Sequence, residues 1–221
     1  MTRHHLLQHL FQVLLGLILC LFIISVSVTV TLNFRPLYYA DIHLLNIPET
    51  SGRSEEDIRA NYDALIDYNS FFNREPLSFP TCTMSESGRI HFEEVKHIFD
   101  LFGWMIIITL PFVMGGVILT RIWHRYLWIG LAGIFSIVLP VLLGIMIAVN
   151  WNYVFVTFHQ LVFNNDYWIF DETTDPVITI LPDTFFMHCA LMIFALIIID
   201  SILCLLICRY LFRKRKNIKK F

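Results

Sequence analysis

Residues 10–32 read LFQVLLGLILCLFIISVSVTVTL, 23 positions without one Asp, Glu, Lys or Arg. At about 1.5 Å per residue, a helix of this length crosses a hydrocarbon core of about 30 Å. A cleaved signal peptide is the competing reading, but its apolar region would be only about 7–15 residues long. No convincing small-x-small site follows before Asn33-Phe34-Arg35, so the run is expected to stay as an anchor. Three more apolar runs of similar length occur at 98–120, 127–149 and 185–208. The fold class expected is therefore an all-α integral membrane protein with four transmembrane helices.

Composition agrees with this reading. Of 221 residues, 57% are hydrophobic and 15% charged, and the mean hydropathy is +0.65. Soluble domains run near 45–50% apolar and about 25% charged. The net charge of −2 says little until the charges are sorted by position. The segments 1–9, 121–126 and 209–221 carry ten Lys or Arg and no acid, whereas 33–97 and 150–184 carry six against sixteen acids. Short cytoplasmic segments are enriched in Lys and Arg, so both termini are expected in the cytoplasm and the two acidic segments outside, as an outer cap. The basic tail then serves topology and contact with anionic lipid, and no nucleic-acid partner is expected. None of the five Cys lies in a CxxC pair, which argues against thiol redox chemistry.

Chemistry is therefore expected in the two outer segments. In the first, Ser54-Glu55-Glu56-Asp57 precedes Ile58, Tyr62, Leu65 and Ile66, an amphipathic helix with acids at its start. Residues 69–83, rich in Phe, Pro and Ser, read as an irregular loop. The block His91-Phe-Glu93-Glu94-Val-Lys-His97-Ile-Phe-Asp100 leads into the second span. At 100° per residue, Glu93, His97 and Asp100 fall within about 60° of one another, and carboxylates around a histidine raise its basicity. Asp100 lies just inside the apolar run, where an unpaired carboxylate is costly, so it is expected to approach His97. A solvated, dipole-matched helix start is the plainer explanation of the same charges. His91-x-x-Glu94-x-x-His97 is not HExxH, and its histidines lie about 120° apart, so no metal is expected. In the second outer segment, Val154–Phe163 is too apolar for an open loop and is expected to lie along the interface or to extend the third span, with His159 near the head groups. No phosphate-binding loop, GxSxG elbow or zinc spacing occurs, which removes support for ATP hydrolysis, serine hydrolysis and metalloproteolysis.

Glu94-x-x-His97-x-x-Asp100, together with Phe158-His159-x-x-x-Phe163-x-Asn165-Asp166-x-Trp168, Asp175-Pro176 and Pro182, resembles the bacterial lipoprotein intramolecular transacylases. The four-span order, the large first outer segment and the chain length agree with that family. The resemblance implies that two outer histidines form the catalytic pair, matched here by His97 and His159. Glu94, Asp100, Asn165, Asp166, Trp168 and Asp175 then play supporting roles. His91 is an additional histidine, and the register of Glu94 and Asp100 favours His97. The implied reaction moves the sn-2 acyl chain of a diacylglyceryl-Cys lipoprotein onto the α-amine of the same Cys. An ester becomes an amide, so no cofactor is implied. The implied partners are the lipoprotein N-terminus and membrane lipid, and the implied location is the bacterial cell membrane. The alternative from another class is a non-enzymatic four-span adaptor binding a protein partner through its acidic outer segments.

Overall fold

The computed structural model describes residues 3–123 and 125–218. Arg3 begins the first described helix, while Lys219 and Lys220, part of the basic tail, lie outside the described residues. Eight α-helices and one 3-10 helix, and no strand, occur among the described residues. The helices are α1 (Arg3–Asn33), α2 (Arg35–Leu44), α3 (Ile47–Ser51), α4 (Glu55–Asn69), α5 (Glu86–Trp123), α6 (Leu127–Val149), α7 (Trp151–Val162) and α8 (Asp183–Ile218). The 3-10 helix is Pro176–Ile180. Four of the helices, α1, α5, α6 and α8, are long and apolar enough to cross a membrane.

The chain divides into two compact units. The first contains residues 1–28, 104–145 and 193–221. Its helices approach through small residues, which bring backbones close where lipid provides no hydrophobic driving force between helices. A Cβ on Gly16 would lie 3.0 Å from Leu131 Cβ and 3.1 Å from the Trp128 carbonyl, so α1 meets α6 there. At Gly133 a Cβ would stand 2.8 Å from the Ser201 carbonyl, so α6 meets α8. Trp128, buried, donates from Nε1 to Thr120 Oγ1 at 2.7 Å, and Thr120 Oγ1 donates to the Arg125 carbonyl at 3.1 Å. These bonds fix the turn between α5 and α6.

The second unit contains residues 29–103 and 146–192. Its core joins α2, α4, the 3-10 helix and the start of α8 through Tyr38, Ile42, Ile58, Tyr62, Val177 and Phe185, all buried. Tyr38 stacks on Tyr62 with ring centroids 3.7 Å apart, and its hydroxyl donates to the Ile180 carbonyl at 2.6 Å. The acids that open α4 follow Ser54, whose Oγ accepts from the Asp57 N–H at 3.2 Å. Residues 70–85 form no regular element. A break at Asn150 (φ −159°, ψ 95°) separates α6 from α7, and Asn150 Oδ1 caps α7 by accepting from the Tyr153 N–H at 3.0 Å. Helices α2 and α3 are additional to the elements read from the sequence. They turn through Asn46 in the left-handed region (φ 51°), and Gly52 (φ 67°) ends α3 at an angle that L side chains rarely adopt.

Candidate active site

Within the second unit, α5 begins at Glu86 and brings His91 round on its second turn. Ser85 precedes that helix, and its N–H donates to Asp175 Oδ1 at 2.7 Å. Asp175 is buried, and Thr174 Oγ1 donates to its Oδ2 at 2.7 Å. A Cβ on Gly88 would overlap the Asp175 carboxylate, so only glycine permits this close approach. Asp175 thus pins the loop before the 3-10 helix to the start of the helix that carries His91.

His91 is buried, and its ring faces that of His159, with centroids 6.1 Å apart and planes inclined at 33°. Aromatic rings enclose the pair. Phe163 and Phe170 lie 4.8 and 5.5 Å from His91, and Phe155 and Trp168 lie 4.3 and 4.7 Å from His159. His159 Nδ1 is 2.8 Å from the Phe155 carbonyl oxygen. A carbonyl only accepts, so Nδ1 carries the proton and Nε2 of the neutral ring keeps its lone pair. Burial lowers the His159 pKa from its ordinary value, with the Phe155 bond opposing the shift.

Glu94 accepts at Oε1 from Asn165 Nδ2 at 2.8 Å, which ties the loop after α7 to α5. The Tyr167 N–H donates to Asn165 Oδ1 at 3.0 Å and sets the loop's turn. Asp166 is exposed and makes no side-chain bond among the described residues, while its carbonyl accepts from the Ile169 N–H at 3.0 Å. Six buried side-chain atoms in this unit lack a hydrogen-bond partner among the described residues: Thr31 Oγ1, Asn69 Oδ1, His91 Nδ1, Glu94 Oε2, Trp151 Nε1 and Trp168 Nε1. A buried polar atom without a partner costs free energy, and three of the six belong to residues of the histidine enclosure or to Glu94 on the same helix.

The sequence expectation paired His97 with His159, and the structure brings His91 there instead. Six residues of α-helix turn the chain through 600°, so His91 and His97 point about 120° apart. His97 is exposed and has no hydrogen-bond, ion-pair or ring partner among the described residues. Nor does Asp100 approach His97. It pairs with Lys96 Nζ and Arg74 Nη1, both at 3.2 Å. Lys96 is buried and also donates to the Ser70 carbonyl at 3.1 Å. Lys96, one turn before Asp100 on the same helix face, and Arg74 supply charge-assisted hydrogen bonds to the carboxylate, which leaves His97 without it.

A model of the family described as "Lipoprotein intramolecular transacylase Lit" matches residues 13–186. The chain belongs to the lipoprotein intramolecular transacylase family. Among solved structures, it is 35% identical to the membrane integral lipoprotein intramolecular transacylase Lit from Bacillus cereus. That match covers 95% of this chain and 98% of the relative, with a TM-score of 0.92. Two further structures of the Bacillus cereus protein, carrying a histidine-to-arginine and a histidine-to-alanine mutation, each match at 34% identity with TM-scores of 0.87. They cover 96% of this chain and 95% and 97% of their own. A search of curated proteins finds no match. As a transacylase the protein is a transferase, and the adaptor reading gives way to it. As a member of this family with four membrane-length helices, it is a multi-pass membrane protein acting in lipoprotein processing.

Two features of this transacylase carry no signal in the spacing of the sequence. One is the aromatic enclosure, to which Phe155 and Phe170 contribute. The other is a hydrogen bond from His188 Nδ1 to Asp41 Oδ2 at 2.9 Å, in which Asp41 is almost wholly buried.

Proposed function

We propose that His91 and His159 catalyse transfer of the sn-2 acyl chain of a diacylglyceryl-Cys lipoprotein to the α-amine of the same Cys. The observation that carries this reading is the 6.1 Å spacing of the two rings in an aromatic enclosure. A catalytic group works within about 2.6–3.2 Å of the atom it serves, so two imidazoles at this spacing flank one reacting carbonyl.

His159 Nε2, the free lone pair, takes the proton of the Cys nitrogen as that nitrogen attacks the sn-2 carbonyl carbon. The C–N bond forms, and negative charge moves to the carbonyl oxygen. An N–H of neutral His91 and the unpartnered Trp168 Nε1–H supply hydrogen bonds for that oxygen. Collapse of the tetrahedral intermediate breaks the bond to the sn-2 glycerol oxygen, which receives the proton that His159 holds. Electrons and protons balance without nucleotide, metal or water. Donor and acceptor belong to one molecule, so positioning supplies several kcal/mol of the barrier. Glu94, Asn165 and Asp175 act as positioning residues that hold the loop and α7 against α5. Asp100 and Asp166 have no contact that places them in the reaction. The exposed face of α7, with Tyr153, Phe158 and Leu161, suits contact with bilayer lipid, from which the substrate's acyl chains need not be withdrawn.

The pH profile tests the base. A Cys α-amine has a pKa of about 7.7–8.0, and only its neutral form attacks. His159 must also be neutral, and its pKa is lowered. Between about pH 7.5 and 6.5 only the amine titrates, so log rate falls with slope one. Slope two should begin below 6.5. A slope of two already present above 6.5 would mean a raised histidine pKa and would contradict the assignment.

The orientation proposed puts both termini in the cytoplasm and the His91–His159 pair outside, on the strength of the ten-to-zero bias of Lys and Arg over acids. Cys introduced at position 60 or 170 of an otherwise Cys-free chain should be labelled in intact cells by an impermeant maleimide. Labelling only after permeabilisation would reverse the orientation.

A further inference from the structure

The first unit contains a cavity of about 590 Å³ where the start of α1, the end of α5 and the start of α6 meet. Apolar side chains line most of it, Leu7, Phe11 and Leu119 among them. The polar groups gather at Gln8, Gln12 and Arg125. Arg125 Nη2 donates to Gln8 Oε1 at 2.7 Å, and no carboxylate pairs with the guanidinium among the described residues. Gln12 is 5% exposed, and its Oε1 has no hydrogen-bond partner among the described residues. The Trp128 indole, bonded to Thr120, forms a fixed wall, and Gly116 lies against it with no side chain to fill the space. Nothing in the transacylation chemistry uses these groups.

We propose that this cavity binds an anionic phospholipid whose head group carries hydroxyl donors. The phosphate sits on Arg125, whose forked guanidinium matches it. A head-group hydroxyl donates to the buried Gln12 Oε1, which has no partner among the described residues. An acyl chain occupies the apolar part of the cavity. Charge argues for an anionic occupant, because Arg3, Arg121, Arg125 and the basic tail gather in the segments flanking the spans of this unit, with no acid in any of those segments. The apolar lining argues for a lipid over a soluble phosphate. The bound lipid bridges α1 to the turn between α5 and α6 and should stiffen that junction.

The test is native mass spectrometry of the purified full chain in detergent, with phosphatidylglycerol or phosphatidylcholine added at equal concentration. The expected result is one retained phosphatidylglycerol, preferred by at least about tenfold over phosphatidylcholine. Arg125→Gln should remove that preference, and Gln12→Leu should weaken it, whereas Lys216→Gln in the tail should leave it unchanged. Glycerol 3-phosphate should not displace the lipid. Phosphatidylglycerol should also raise the melting temperature of the wild type but not of Arg125→Gln. Equal retention of the two lipids by the wild type would overturn the proposal even if a variant failed to fold. Loss of preference with the tail variant would overturn it in favour of diffuse electrostatic attraction. Displacement by glycerol 3-phosphate would overturn it in favour of a soluble anion.

Discussion

Replacing His91 or His159 by Ala should lower the rate of lyso-lipoprotein formation by about 10²–10⁴-fold, the usual contribution of a positioned acid or base. His97→Ala should keep most of the activity. The contrast matters because His91 and His97 are three residues on either side of Glu94 and occupy the same helix. His91 is buried against His159, Phe163 and Phe170, and His97 is exposed. Mass spectrometry of a lipoprotein co-expressed with each variant reads the product, and immunoblotting of membranes reads accumulation. Loss of product in His97→Ala, with His91→Ala active, would exchange their roles.

A second large effect should come from His188→Leu, on stability rather than chemistry. Asp41 has a side chain 2% exposed, and its carboxylate meets His188 Nδ1 at 2.9 Å. Removing one member of a buried pair leaves the other without compensation, at a cost of about 3–5 kcal/mol. The His188 side chain is 29% exposed, which places this pair at the lower end. For a chain of this size, about 3 kcal/mol corresponds to a fall in melting temperature of about 6–12 °C. Adding Asp41→Asn should recover part of the loss, because a neutral amide is less costly to bury than a lone carboxylate. Scanning fluorimetry in detergent measures both. An unchanged melting temperature in His188→Leu would show that the pair contributes nothing to the fold.

The membrane-crossing helices were legible because each apolar run is long enough to define its element without help from tertiary contacts. Helix α4 was legible too, since Ser54, three acids and apolar steps of three and four all point to one start and one face. Helix α3 is only five residues long, and its limits rest on backbone angles at Asn46 and Gly52 that no hydrophobic period announces. The choice between His91 and His97 was not legible for a geometric reason. Each lies about 60° from Glu94 around the helix, on opposite sides, so spacing alone is symmetric. What breaks the symmetry is distant in sequence. Arg74 and the Ser70 carbonyl draw Lys96 and Asp100 to one side, while Asn165 draws Glu94 towards the loop beside His159. The Asp41–His188 pair spans 147 positions and follows no local pattern at either residue.

The most direct test of the central claim is to follow an acyl chain. Two diacylglyceryl lipopeptides of different peptide mass, one with a deuterated sn-2 chain and one unlabelled, are incubated together with the purified protein. Fragmentation of the products then locates the label. Intramolecular transfer at the His91–His159 pair predicts that the deuterated chain moves to the Cys nitrogen of its own peptide, with total mass unchanged and no label on the other. Label crossing between peptides, released as free fatty acid, or left on the sn-2 oxygen would contradict it.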